Sequence, residues 1–172
     1  MKTVIFTTAL LALALCSAPS KHYKLAEFLG GLDFGLGHTS ELNFKMLPEM
    51  LFSGSADAAD NAFDAIEHEL MHGLAIAENA ETALLHFQAL CGLLSHDVVA
   101  PYFGNNLLGH FQSKWNMGLE QLYHGLTPAH LEQTNFRLYS YELLIHFQED
   151  RFRLAGFNLG QMMHFVSTAQ AA

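Results

Sequence analysis

Cysteine is nearly absent from this chain. Only Cys16 and Cys91 occur in 172 residues, so no disulfide framework is expected and stability must come from packing. Cys91 sits among Leu90, Leu93 and Leu94, where a buried thiol is expected, with an intermolecular disulfide as the alternative. Asn-x-Ser/Thr sites are missing, so N-glycosylation is not expected. Basic residues are scarce: Lys and Arg total 8 against 17 Asp and Glu, for a net charge of −9. That balance disfavours nucleic acid and anionic membrane surfaces as partners. There is no Gly-x-Ser-x-Gly elbow, no phosphate-cradling Gly-x-x-x-x-Gly-Lys and no Gly-x-Gly-x-x-Gly ahead of a helix. No stretch alternates convincingly as a strand does.

What is present begins with a leader. Lys2 is followed by an apolar run from Val4 to Cys16, then by small residues at Ser17, Ala18 and Ser20. That is the layout of a secretory signal peptide, and the run is shorter than the roughly 20 residues that span a bilayer. Cleavage after Cys16 or after Ser20 fits the small-residue rule. We therefore assign residues 1–20 as signal peptide and 21–172 as a single helical domain. The expected localisation is secreted, with no membrane attachment after cleavage.

The remainder is half apolar and reads as all-α, a bundle of five or six helices. Residues 21–37 are glycine-rich, and a short helix passing into a loop is expected there. The glycines Gly30, Gly31, Gly35 and Gly37 would permit close helix contacts or turns. A second short helix is expected over 42–52, broken near Pro48. Ser55 is a candidate N-cap, with Asp57 favouring the positive helix end. Phe63, Ile66, Leu70, Leu74 and Ala77 then form one stripe at helical spacing. Asn79 is expected to end or bend this helix, and helical pattern continues from Leu84 to Val99, stopping at Pro101. Leu108, Phe111, Trp115 and Leu122 form a further stripe, closed by Gly125. Thr127-Pro128 reads as an N-cap followed by a first-turn proline. After it, Leu131, Leu138, Ile145, Phe152, Leu159 and Val166 recur every seven residues, with Tyr141, Ala155 and Met162 between them. Such a heptad predicts one long C-terminal helix, bent at most at Gly156, packed at a shallow angle against neighbours.

Leu-x-His-Phe-Gln occurs three times, at 84–88, 108–112 and 144–148. Neighbouring helical residues lie about 100° apart, so each Phe can point inward with His and Gln flanking it. A repeated packing unit is the simpler reading, and three histidines converging on a metal or haem is the sharper one.

One motif carries chemistry. His68-Glu69-Leu70-Met71-His72 places two histidines four apart on a helix, where they can share one Zn²⁺, with a glutamate between them to hold and deprotonate a metal-bound water. This segment resembles the zincin metallopeptidases. The resemblance implies His68 and His72 as metal ligands, Glu69 as general base and Zn as cofactor. Departures from that family are plain. Glu78 stands where a metzincin histidine belongs, and a later ligand such as Glu120 or Glu142 is neither supported nor excluded. Nothing upstream of the helix looks like the sheet of that family, and at 100° per residue the two histidines lie opposite the apolar stripe. Eleven histidines also raise the odds of a chance match. A solvated His pair, or a non-catalytic metal site, are the other readings. Separately, Phe152-Arg-Leu-Ala-Gly-Phe-Asn-Leu-Gly160 is faintly similar to the last helix of small secreted helical proteins of unicellular eukaryotes.

The expectation from sequence is therefore a secreted non-enzymatic helical protein, without an obligatory cofactor, acting by self-association or by binding a protein partner. The alternatives are a zinc-dependent peptidase and a carrier of a small apolar ligand held in a cavity within this Phe-rich bundle, the sequence having fourteen Phe in all.

Overall fold

The computed structural model describes residues 20–36, 56–95, 119–120 and 123–170. Six α-helices are defined among them: α1 (Lys21–Gly35), α2 (Ala56–Glu67), α3 (Ala80–Leu93), α4 (Pro128–Leu131), α5 (Thr134–Gln148) and α6 (Phe152–Gln170). A π-helical turn (His68–Gly73) and a 3-10 turn (Leu74–Ile76) extend α2. No strand occurs among the described residues. The fold is all-α, and its buried apolar side chains form one cluster drawn from α1, α2, α3, α5 and α6. The leader, the segment expected over 42–52, Ser55, the middle Leu-x-His-Phe-Gln and the stripe through Trp115 lie outside the described residues.

Glycine decides how α1 and α6 meet. Each carries a Gly-x-x-x-Gly pair: Gly31 and Gly35 on α1, Gly156 and Gly160 on α6. A Cβ added at Gly31 would overlap the Arg153 carbonyl, and one at Gly156 would overlap the carbonyl of Phe28. Gly35 and Gly160 press on each other across the same seam. The two backbones therefore touch directly, and Gln161 Nε2 donates to the Gly35 carbonyl at 2.7 Å. This explains why α1 runs helical to Gly35, where the sequence suggested an early loop. A helical glycine costs about 1 kcal/mol relative to alanine, and the close packing of α6 offsets that cost. The expected role of Gly31 and Gly35 as helix contacts is what is observed.

Phenylalanine fills the centre. Phe63 stacks on Phe147 at 5.6 Å between centroids, Phe152 meets both edge-on, and Phe28 meets Phe147 edge-on at 5.9 Å. Lys24 closes this cluster, with its ammonium 5.0 Å from the Phe152 centroid and 3.2 Å from Asp150 Oδ1. Phe87 and Phe136 form a second edge-on pair joining α3 to α5.

The stripe Phe63, Ile66, Leu70, Leu74 is buried as expected. Part of it lies on the π turn. A wider turn advances fewer degrees per residue, so the four-residue steps from Ile66 to Leu74 drift less around the axis. The helix stops at Ala77, whose backbone is extended. Asn79 then caps α3 by accepting a hydrogen bond from the Thr82 amide at 2.9 Å.

The long heptad helix is not found. Residues 128–170 form three helices instead of one. Thr127 caps α4 as anticipated, with His130 completing a capping box, but α4 lasts four residues. The second break follows Gln148. The Asp150 amide donates to the Phe147 carbonyl at 3.2 Å, and the Arg151 amide donates to that of His146 at 2.8 Å. With Asp150 at φ 58°, this is a Schellman stop in which aspartate takes the left-handed position that glycine normally fills. The turn resets the helical phase. On α6 the heptad residues Phe152, Leu159 and Val166 are buried. On α5 the buried residues are Phe136, Leu143 and Phe147, while Leu138 and Tyr141 are left 50% and 64% exposed. α6 continues through Gly156, which receives α1.

Candidate functional site

Two places deserve chemical scrutiny: the π turn carrying the His-Glu-x-x-His motif, and the surface left open where the heptad fails.

The π turn ends at Gly73, and the imidazole of His86 from α3 lies directly over that glycine, where a Cβ would collide with the ring. His86 Nδ1–H donates to Glu69 Oε2 at 2.9 Å. Both groups are mostly shielded, with side-chain exposures of 31% and 23%. His86 belongs to the first Leu-x-His-Phe-Gln unit. In this unit Phe87 is buried and His86 and Gln88 flank it, half-buried. The third unit repeats the pattern: Phe147 is buried and His146 half-buried beside it. The Nδ1 of His146 is itself buried without a hydrogen-bond partner.

His68 and His72 are exposed, with ring centroids 5.5 Å apart. The structure thus brings the two histidines together on the solvent side, and turns Glu69 away to α3. A general base in zinc hydrolysis must reach the water on the metal; here the Glu69 carboxylate is held by His86. Among the described residues no three His, Cys, Asp or Glu side chains converge as a metal-binding group. Glu78, Glu120 and Glu142, the third-ligand candidates, do not join His68 and His72. Nothing in the residue pattern points directly to the Glu69–His86 pair. The usable signal was that a His-Phe-Gln unit must direct its histidine at a neighbour once the Phe is buried.

The second place is an open apolar groove of about 930 Å³. One wall is the 3-10 turn and α3, with Leu74, Ala77, Ala80, Ala83 and Phe87; the other is α4 and α5, with Leu131, Phe136, Leu138, Tyr141 and Leu144. The alanines recur every third residue, so one wall is shallow and smooth. On the other, Leu138 and Tyr141 stand up as a ridge. Between Thr134 and Leu144 the groove follows α5 for about 15 Å at 1.5 Å per residue. Charges sit near its edges: Arg137 on α5, and Glu78 and Glu81 at the start of α3, all exposed. Sequence reasoning missed this site because the heptad assigned Leu138 and Tyr141 to a buried seam. The spacing of Ala77, Ala80 and Ala83 was the available clue.

Cys91 lies deep in α3, 5% exposed. Burial pushes its thiol up to about 12, so it is protonated and unreactive at neutral pH. No helix among the described residues is long and apolar enough to cross a membrane. Comparison of the chain with protein-family models, curated proteins and solved structures found no match.

Proposed function

We propose that this is a secreted, non-enzymatic helical protein that works by association, with the groove between α3 and α5 as its docking surface. The observation that carries the reading is the exposure of two heptad-pattern residues on α5. Leu138 and Tyr141 continue a pattern that elsewhere packs helix on helix, yet they project into an open groove beside a smooth alanine wall. A row of small residues lets a helix backbone approach closely, and a groove about three turns long suits an amphipathic helix laid lengthwise. The groove is open along one side, which suits a helix better than a small ligand, since small-molecule sites bury most of their ligand. Sparse charge and a net of −9 favour a protein partner over nucleic acid.

The test is the native mass of the secreted protein in unfractionated medium, read by gel filtration with immunodetection. An assembly larger than one mature chain is expected as the medium is concentrated, with Leu138→Asp shifted to monomer size. Wild type that elutes as a monomer in the medium and stays monomeric when purified and concentrated would overturn the proposal.

A further inference from the structure

Building on the association reading, we propose that the groove's occupant is a second copy of this chain, and that two copies form an isologous pair in which each α5 lies in the partner's groove.

The groove and the ridge that fits it are on the same face. Leu138 and Tyr141, one turn apart on α5, are exposed, and across the groove Ala77, Ala80 and Ala83 present only small side chains. A surface that carries a ridge beside its own complementary hollow can meet itself about a two-fold axis, with every contact made twice. The axis then runs near Ser140, between the two ridge residues. The two α5 helices lie antiparallel there, each ridge covering the other copy's alanine wall. This joins the exposed heptad positions of two α5 helices, which is the seam that the sequence pattern specifies and that a single copy leaves open.

Charge matches as well. Arg137 precedes the ridge, while Glu78 and Glu81 flank the alanine wall. Crossing the helices brings each Arg137 to the acidic start of the other copy's α3. Glu132 also lines the groove, where Arg137 is the basic lining residue, and the acidic start of a second copy's α3 supplies that arginine with a partner. Sixteen residues line the groove, fewer than the roughly 20–30 per side of a standard interface, so the pair is expected to be a weak one.

Sedimentation velocity of the purified full chain tests this directly. Wild type is expected to dimerise with rising concentration. Because Leu138 enters the interface twice, a tenfold loss per contact makes Leu138→Asp weaker by about a hundredfold. Ala80→Trp, which fills the opposite wall, is expected to be monomeric too. An equimolar mixture of these two variants is expected to dimerise about tenfold more tightly than either alone, since one ridge and one wall remain intact and face each other. Ser140→Cys is a near-isosteric change that leaves the interface in place. It supplies an independent readout: a short thiol-reactive cross-linker is expected to join residue 140 of one copy to residue 140 of the other, read by peptide mapping. A purified chain that stays monomeric at every concentration overturns the proposal, as does a dimer that lacks the 140–140 linkage. If the secreted protein is nevertheless part of a larger native assembly, the docking reading stands and only its second-copy form fails.

Discussion

The α1–α6 seam makes a sharp expectation about a single methyl group. In Gly31→Ala the new Cβ overlaps the Arg153 carbonyl oxygen, and also lies 2.8 Å from its carbonyl carbon and 2.9 Å from the Phe157 amide nitrogen. All three neighbours are backbone, so no rotamer change relieves the contact. The helices must part by about 1 Å, and a gap of that size forfeits a quarter to a half of the dispersion well across the seam. Overpacking costs about 1–3 kcal/mol, and a backbone clash belongs at the upper end. Helix propensity returns about 1 kcal/mol on replacing glycine by alanine. The net loss is about 2 kcal/mol, which lowers Tm by about 4–8 °C in a domain of this size. Gly92→Ala is the matched control, because nothing lies within 4 Å of its added Cβ. It should raise stability by about 0.5–1 kcal/mol through propensity alone. Thermal melts of both variants by circular dichroism decide the matter. If Gly31→Ala melts at or above wild type, as Gly92→Ala should, the two backbones are not in contact and the packing described for α1 is wrong.

Three further outcomes are expected. Asp150→Gly removes the cost of a left-handed aspartate and should stabilise by about 0.5 kcal/mol, whereas Asp150→Val should destabilise by at least 1 kcal/mol; urea melts compare them. Cys91 should resist iodoacetamide in the native protein and react fully once unfolded. Because its folded value is raised from 9.0 to about 12, the unfolded thiol ionises first, so stability should fall as pH climbs from 9 toward 12; rapid labelling of the native chain at pH 8 would contradict the buried placement. Metal analysis of the purified protein should find less than one zinc per chain, and Glu69→Gln should alter stability without abolishing any hydrolytic activity. Stoichiometric zinc that is lost in His68→Ala would instead favour the peptidase reading.

Much of the helical character was legible because it is written in periodicity. The stripe from Phe63 to Leu74, the Asn79 boundary, the Thr127-Pro128 start and the inward Phe of the first and third His-Phe-Gln units follow from spacing and capping chemistry alone. The single long C-terminal helix was misread for a physical reason. A seven-residue repeat keeps its count across a tight turn, so Phe152 lies in numerical register with Ile145 although the helix between them has stopped. Glu149-Asp150-Arg151 was the only warning, and aspartate in the left-handed position carries none of the signal that glycine would. The pairing of the two Gly-x-x-x-Gly motifs was in plain view, but nothing local says which helix answers which. The His68–His72 motif illustrates the opposite case. Its residue types and spacing are those of a metal site, yet where Glu69 points depends on His86, seventeen residues away, and on the absence of a side chain at Gly73.

The claim that organises these observations is that Leu138 and Tyr141 belong to an interface. It is tested most directly by sedimentation velocity of the purified chain beside Leu138→Asp over a wide concentration range. Expected is a concentration-dependent dimer for wild type and a monomer for the variant, with the two sharing one circular dichroism spectrum. If the two sediment identically at every concentration, the exposed heptad face does not join copies of this chain.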